Sequence, residues 1–585
     1  MIVKDFLKLR LVSVVSWLRS SEVAMGFILA VIIGVISGFG AIAFRWLILN
    51  FQSLFFEGGE SVLSFLGQYY VIVIPAIGGL LVGPLVYFFA REARGHGVPE
   101  VMESVAVKGG RIRPRVAFIK ALASSLCIGS GGSVGREGPI VQIGASAGSS
   151  IGQWFKLPTD TLKTLVACGA AGGISATFNA PIAGVFFALE VILGRVVTPR
   201  FAYIVISSVV ADFLAQAFLG NQRAFIIPEF GMVSNWEIGF YVVLGIFAGL
   251  FALAFITLLY RCEELFDAFK FPEYLKPVLG GLIVGLIGLY SHDLFGVGYE
   301  GIERALSGQV VLQTLLILLV LKVVATSVTL GSGGSGGVFA PSLFIGAMLG
   351  AAVGTAFGHV FPDITGPVGA YGIVGMAAVF SAAARAPFSA TLIVYEMTGD
   401  YAIILPLLVA VAVSTALSRS LKRENIYTIK LLRRGVDIRR GEMADVMRDI
   451  TVAEAMTRDF PTVPAEMPVK ELIKLFRKSE HHGFPVLDAE GRLSGIVTLT
   501  DVEHYLEREN AGLTAGDIAT QSPFVVYPDQ SLHHVLSGSE QEYGRIPVVS
   551  RDDRRRLLGV LRRYDIINAY RRRVSRRKRA SRARK

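Results

Sequence analysis

Charge is scarce in this chain. Asp, Glu, Lys and Arg make up 18% of its 585 residues, against 52% hydrophobic ones. Soluble domains carry about a quarter charged residues. With a mean hydropathy of +0.56, the deficit excludes an ordinary soluble protein. Cysteine is nearly absent. Cys127, Cys168 and Cys262 lie in or beside apolar segments with no CxxC spacing, which excludes a disulfide framework and a thiolate metal site and leaves small core residues. No GxxxxGK(S/T) occurs, so a phosphate-gripping P-loop is excluded and an ATP-driven transport enzyme is the least favoured class. The adjacent pairs His481-His482 and His533-His534 face apart along a strand or helix and suggest no shared metal. Acid is missing altogether from residues 571–585, which carry ten Lys/Arg, so nearly all of the formal net charge of +11 sits there. In a membrane-anchored chain this reads as a solvated, disordered basic tail over 574–585. Attraction to anionic cytoplasmic lipid is the alternative, and no nucleic-acid role is expected.

What the chain has instead is apolar blocks between about residues 24 and 420. The segments 25–50, 70–90, 236–260, 276–290, 312–330 and 402–418 are long enough, or nearly so, to cross about 30 Å of hydrocarbon as helices. Residues 138–153 and 386–396 are too short or too Gly-rich to cross alone, and such broken helices survive only where protein or a cavity covers them. The fold class expected is a membrane all-α bundle of tilted and broken helices. The loop 51–69 has Glu57 and Glu60 and no base, whereas 91–115 holds Arg91, Arg94, Lys108, Arg111, Arg113 and Arg115. That asymmetry places the second loop and the N-terminus in the cytoplasm. Residues 1–24, with Lys4, Lys8, Arg10 and Arg19 at helical spacing among apolar residues, read as an amphipathic helix on the cytoplasmic interface rather than a cleaved signal.

The chain also repeats itself. GSGGSVGREGP (129–139) matches GSGGSGGVFAP (331–341) at seven of eleven positions, and the match runs on into IGA at 143–145 and 345–347. Ala180-Pro181 precedes Glu190 by the interval at which Ala386-Pro387 precedes Glu396. Two ordered echoes at nearly equal offsets indicate internal duplication, over about 25–219 and 236–433. Transporters built this way bind their substrate where the repeats meet. A Gly-rich loop opening a helix leaves amides unpaired at the positive end of the helix dipole, which is an anion site an ion can leave again. Glycines that merely let helices pack closely are the plainer alternative. Both stretches end in Pro (Pro139, Pro341) ahead of an apolar helix, as a helix first turn does, and the duplication favours the anion site. Glu137 is the outstanding residue, because an ionised group in a bilayer costs at least about 2.5–3.5 kcal/mol and is functional by default. Its neighbour Arg136 offers the bland reading of a neutralising pair.

After about residue 430 the character changes. A charged linker (434–448) leads into two soluble α/β units, 449–508 and 514–573. FPVLDAEGRLSGIVTLTD (484–501) in the first parallels IPVVSRDDRRRLLGVLRRYD (546–565) in the second, each a strand, a polar turn, a strand and a terminal Asp.

With GREGP at 135–139, GVFAP at 337–341, GHGVP at 95–99 and Tyr427 in the last membrane helix, residues 25–433 resemble the CLC family of chloride channels and chloride/proton antiporters. The two soluble units resemble a tandem of CBS domains. The resemblance implies an inverted-repeat bundle and a homodimer with one pore per subunit, in the cell membrane with both termini cytoplasmic. Glu137 then matches the gating glutamate. The anion-binding set is His96, Gly97, Arg136, Gly138, Val338, Phe339 and Tyr427, acting through the amides of the 136–138 turn and of 338–339 and the Tyr427 hydroxyl. Two departures matter. His96 stands where the family usually has a serine hydroxyl, and its imidazole either donates an N–H to the anion or turns aside. Val191 stands where coupled members commonly carry a proton-passing acid, while Glu190 beside it reads as structural, at the subunit interface. In the CBS pair Thr498 and Asp501 match a ribose-binding hydroxyl and acid, so adenine nucleotide (ATP, ADP or AMP) is a possible ligand. The second unit keeps Asp565 but has Arg562 in place of the hydroxyl. No cofactor is required. The function expected is a passive chloride channel, with a proton-coupled antiporter as the first alternative and a non-transporting membrane sensor as the second.

Overall fold

The computed structural model describes residues 22–195, 198–221, 232–436, 447, 450–479, 481–507, 512–538 and 544–583. The interfacial helix expected over 1–24 and the linker over 434–448 lie almost wholly outside them. The chain divides into two units at Val436/Asp437.

The first unit is helical and built twice over. A long helix, Glu22–Val62, is followed by Tyr70–Phe89, Val98–Ala106, Arg115–Gly129, Glu137–Trp154, Thr159–Phe178, Pro181–Phe187 and Phe201–Leu219. The same order returns as Glu237–Ala268, Lys276–Gly288, Tyr299–Leu306, Leu312–Gly331, Phe339–Val360, Val368–Ala384, Pro387–Thr398 and Ile404–Leu421. Seven helices among the described residues are long and apolar enough to cross a membrane. They differ from the sequence reading at three places. Phe201–Leu219 and Phe339–Val360 qualify. The helix near 276–290 has only 13 residues, since Leu289 and Tyr290 fall outside it, and at 1.5 Å per residue it spans about 20 Å.

Each repeat is centred on an antiparallel helix pair brought into backbone contact by glycine. A Cβ on Gly144 would lie 2.1 Å from the Gly169 carbonyl oxygen, and one on Gly346 would lie 2.3 Å from that of Gly375. Any side chain there would drive the helices apart, so these positions act as small-residue packing sites in a medium with no hydrophobic drive between helices. The glycine-rich stretches, by contrast, meet each other. Gly135 donates to the Gly337 carbonyl at 2.8 Å and Gly337 donates back to Gly135 at 2.6 Å, an antiparallel bridge between equivalent residues. Such a pairing is possible only across a local two-fold axis, which is the signature of inverted repeats.

The carboxylates of the second echo tie the repeats together. Glu190 accepts from Phe388 N (3.3 Å), Ser389 N (2.8 Å) and Ser389 Oγ (2.7 Å) at the start of the helix Pro387–Thr398. Glu396 accepts from Ile182 N (3.0 Å) and Ala183 N (2.7 Å) at the start of Pro181–Phe187. Each acid therefore caps the other repeat's orphan amides. This gives Glu190 a structural role inside one subunit.

The second unit has two α/β halves. In the first, the strands Val463–Pro464, Gly483–Leu487, Leu493–Thr498 and Thr520–Gln521 form one sheet in that order. In the second, Arg545–Val549 pairs antiparallel with Leu557–Arg562. Separate clusters of buried apolar residues fill the halves, around Val486 and Leu472 and around Val548 and Leu532. The final helix runs Arg563–Ala583, into the stretch expected from the sequence as a disordered basic tail from 574. The stretch contains no Gly or Pro, and Arg, Lys and Ala all favour helix.

Candidate functional site

Glu137 is the first residue of the helix Glu137–Trp154, and Phe339 the first of Phe339–Val360. The bridge between Gly135 and Gly337 brings these two helix starts together. The Glu137 side chain is 1% exposed. Its oxygens reach into the second repeat: Ala340 N donates to Oε2 at 3.3 Å and the Tyr299 hydroxyl to Oε1 at 3.2 Å. A carboxylate thus occupies the N-terminus of the facing helix, where an anion is favoured by unpaired amides and dipole alike. Arg136 makes no direct ion pair with Glu137, its neighbour in the chain. Its guanidinium donates to the Thr177 carbonyl at 3.4 Å and lies 5.2 Å from the centre of the Tyr299 ring.

Around Glu137 lies an enclosed pocket that His96, Gly138, Val338, Phe339 and Tyr427 also line. Six residues chosen from the sequence therefore converge, although more than 300 positions separate the first from the last. Gly97 and Arg136 stand just behind the wall. Gly97 takes φ +77° with Gly138 O 2.9 Å from where a Cβ would be, so only glycine lets this loop lie on the start of the Glu137 helix. Tyr427 is not within the last membrane helix. It immediately precedes the short helix Thr428–Arg433, because Asn425 Oδ1 accepts from Tyr427 N and Thr428 N (3.0 and 2.8 Å) and restarts the chain there. Its buried ring lies 5.9 Å from that of His96. His96 is 3% exposed and its Nδ1 is buried without a hydrogen-bond partner.

Sequence reasoning missed three wall residues, Val98, Ile174 and Phe187, and the Phe178 and Phe380 rings that pack on Phe339 at 5.0 and 4.1 Å. In an apolar chain nothing marks them. Two lysines carried a readable signal, since Lys120 and Lys322 stand 202 residues apart, the offset of the glycine motifs. Both are fully buried. Lys120 Nζ donates to the Ala93 and Gly95 carbonyls (3.0 and 2.6 Å), and Lys430 Nζ to that of Arg94 (3.2 Å). Three successive carbonyls before His96 are thereby bound by lysine amino groups, which fixes the loop. Val191 is buried in a π turn, Ala188–Ile192, and holds no polar side-chain atom.

In the second unit Thr498 and Asp501 bond each other, Oγ1 to Oδ2 at 2.7 Å. The counterpart is closed more tightly. Asp565 accepts from Arg562 N, Nε and Nη2 (3.0, 2.8 and 2.9 Å) and from Thr457 Oγ1 at 3.2 Å. Those hydrogen bonds hold the Arg562 guanidinium above its ordinary pKa, while burial and Arg562 push that of Arg545 down.

A duplicated, inverted membrane bundle with a buried carboxylate at crossed helix N-termini defines an anion-transport protein. The profile of the family described as voltage gated chloride channel matches residues 78–419, and that of the CBS domain matches 448–508 and 515–572. The chain belongs to this CLC family, a family of membrane ion transporters and channels rather than of enzymes, and it carries a CBS pair. It is 35% identical over 367 residues to a ClcB-like chloride channel protein of Ralstonia nicotianae, covering 62% of this chain and 85% of that one. With the voltage-gated ClC-type chloride channel ClcB of Escherichia coli O17:K52:H18 it shares 31% over 407 residues, covering 68% and 97%. Among solved structures, a slow cyanobacterial Cl−/H+ antiporter matches with TM-score 0.65 and 28% identity over 70% of this chain and 97% of that one. A eukaryotic CLC transporter matches in fold with TM-score 0.62 and 21% identity, over 92% and 97%.

Proposed function

We propose that this CLC chloride transporter works as a passive chloride channel gated by Glu137. The observation that carries the reading is the place of that carboxylate, which sits on the amide of Ala340 at a helix N-terminus. When the carboxylate is displaced, those amides are free for chloride, and an ion held by dipoles rather than by a full countercharge can leave again. The donors to the anion are the amides of Gly138, Val338 and Phe339, the Tyr427 hydroxyl and the His96 imidazole, backed by Gly97 and Arg136. Val191 offers no group to carry a proton beyond the pocket.

The antiporter reading has one observation in its favour, the 28% identity to a solved structure described as a Cl−/H+ antiporter. Reversal potential measured on reconstituted vesicles separates the two. It should follow the chloride gradient alone, and movement with an imposed pH gradient would replace the channel with the antiporter. Flux no greater than in protein-free vesicles would leave only a sensor. The working form in this reading is a homodimer in the cell membrane with both termini cytoplasmic and the basic end against anionic lipid. Transport requires no cofactor. Adenine nucleotide binds the CBS pair at Thr498 and Asp501, and Arg562 fills the equivalent place in the second half.

A further inference from the structure

The geometry points to Tyr299 as the outer latch of the gate, a positioning residue whose hydroxyl holds Glu137 closed. This rests on the gating role proposed for Glu137 and adds to it a residue from the other repeat. A third motif is duplicated: GVGYE (296–300) follows GHGVP (95–99) by 201 residues. Both loops have glycines at positive φ in the same places, Gly95 and Gly97 at +77° and Gly296 and Gly298 at +53° and +80°. Both hang from the duplicated buried lysine. Lys120 binds the carbonyls of Ala93 and Gly95, and Lys322 binds those of Leu294 and Gly296 at 3.3 and 3.1 Å.

In inverted repeats such equivalent loops lie on opposite sides of the shared site. The GHGVP loop presents His96 and Val98 to the anion pocket. Its counterpart presents Tyr299 to the gate, so that the two repeats supply one loop for each end. Tyr299 takes the position equivalent to Val98, and the added hydroxyl donates to Glu137 Oε1 at 3.2 Å. The Arg136 guanidinium lies 5.2 Å from the ring centre, a cation–π contact. Further back, Arg304 of the same short helix pairs with Asp293, which anchors both ends of the 293–304 segment. The hydroxyl therefore arrives on a braced loop. A braced donor costs little ordering when the carboxylate swings in, and so biases the gate towards closure.

The test is chloride efflux from loaded liposomes for wild type, Tyr299→Phe, Tyr299→Leu, Glu137→Ala and the double variant Glu137→Ala/Tyr299→Phe. Tyr299→Phe keeps the ring over Arg136 and removes the hydroxyl that bonds Glu137, so efflux should rise roughly five- to tenfold, the range one such bond allows. In the Glu137→Ala background the same change should alter efflux by less than about 1.5-fold, because non-additivity is the mark of a direct partner. Tyr299→Leu should match Tyr299→Phe. Wild-type efflux for Tyr299→Phe beside raised efflux for Glu137→Ala would overturn the latch and leave the gate standing. Equal effects of Tyr299→Phe with and without Glu137 would also overturn it, by assigning the tyrosine a purely structural part. Glu137→Ala without effect would remove the gating role itself.

Discussion

Glu137→Ala is the perturbation whose size the structure sets most directly. The closed carboxylate has two bonds to the second repeat, at 3.2 and 3.3 Å. Hydrogen bonds to charged groups contribute about 1.5–3 kcal/mol, but these lengths lie at or beyond the long end of the normal range, so about 1–1.5 kcal/mol each is the appropriate figure. Together they favour closure by about 2–3 kcal/mol, a factor of roughly 30–150. Alanine removes both bonds and the competing charge while the amides of Gly138, Val338 and Phe339 stay in place. Chloride efflux from liposomes clamped with a potassium ionophore should rise, with that factor as its ceiling. Glutamine keeps one acceptor oxygen, for Tyr299 or for Ala340 but not for both, and loses the charge, so its rise should be smaller, roughly five- to tenfold. The result that would refute the reasoning is wild-type efflux from an alanine variant with a normal elution profile and a lowered unfolding temperature. That pattern would make Glu137 a structural acid.

Two further outcomes follow from the geometry. His96→Ala should weaken chloride binding about five- to tenfold by titration calorimetry, the worth of one donor, and His96→Ser should restore most of it; an unchanged Kd would assign the work to backbone amides alone. Glu190→Ala strips the acceptor from Phe388 N and Ser389 N and should cost about 1–2 kcal/mol, read as a lower unfolding temperature in detergent. Glu396→Ala should lower it by a comparable amount, and a change confined to one of the two would deny the reciprocity.

The legible part of the site was the part written twice. Glu137 stood out because one of two matching stretches carries an acid where the other has phenylalanine, and the second stretch stood out as a whole. Val338, Phe339, His96 and Tyr427 were legible as individual site residues only through a family pattern. Tyr299 was not legible, although its motif is also duplicated, because GHGVP and GVGYE share two glycines and little else. Two glycines at that spacing are too weak a signal in a chain with 64 of them. The basic end was read from its charge. Charge argues for solvation and says nothing against helix, whereas Arg, Lys and Ala have helix propensities that favour it.

The membrane class, the duplication, the change of character after about residue 430 and the acid at a helix start were all determined by the sequence alone. They depend on composition and local pattern, which hydrophobic thickness and helix chemistry convert into structure without reference to distant residues. The tertiary structure alone decided which acids meet which amides. Glu190 caps a helix some 200 residues away and Glu137 is held by Tyr299 and Ala340, because the two-fold axis through Gly135 and Gly337 sets each repeat's helix starts against the other. A contact across that axis depends on the register between repeats, and no local window of the chain contains it.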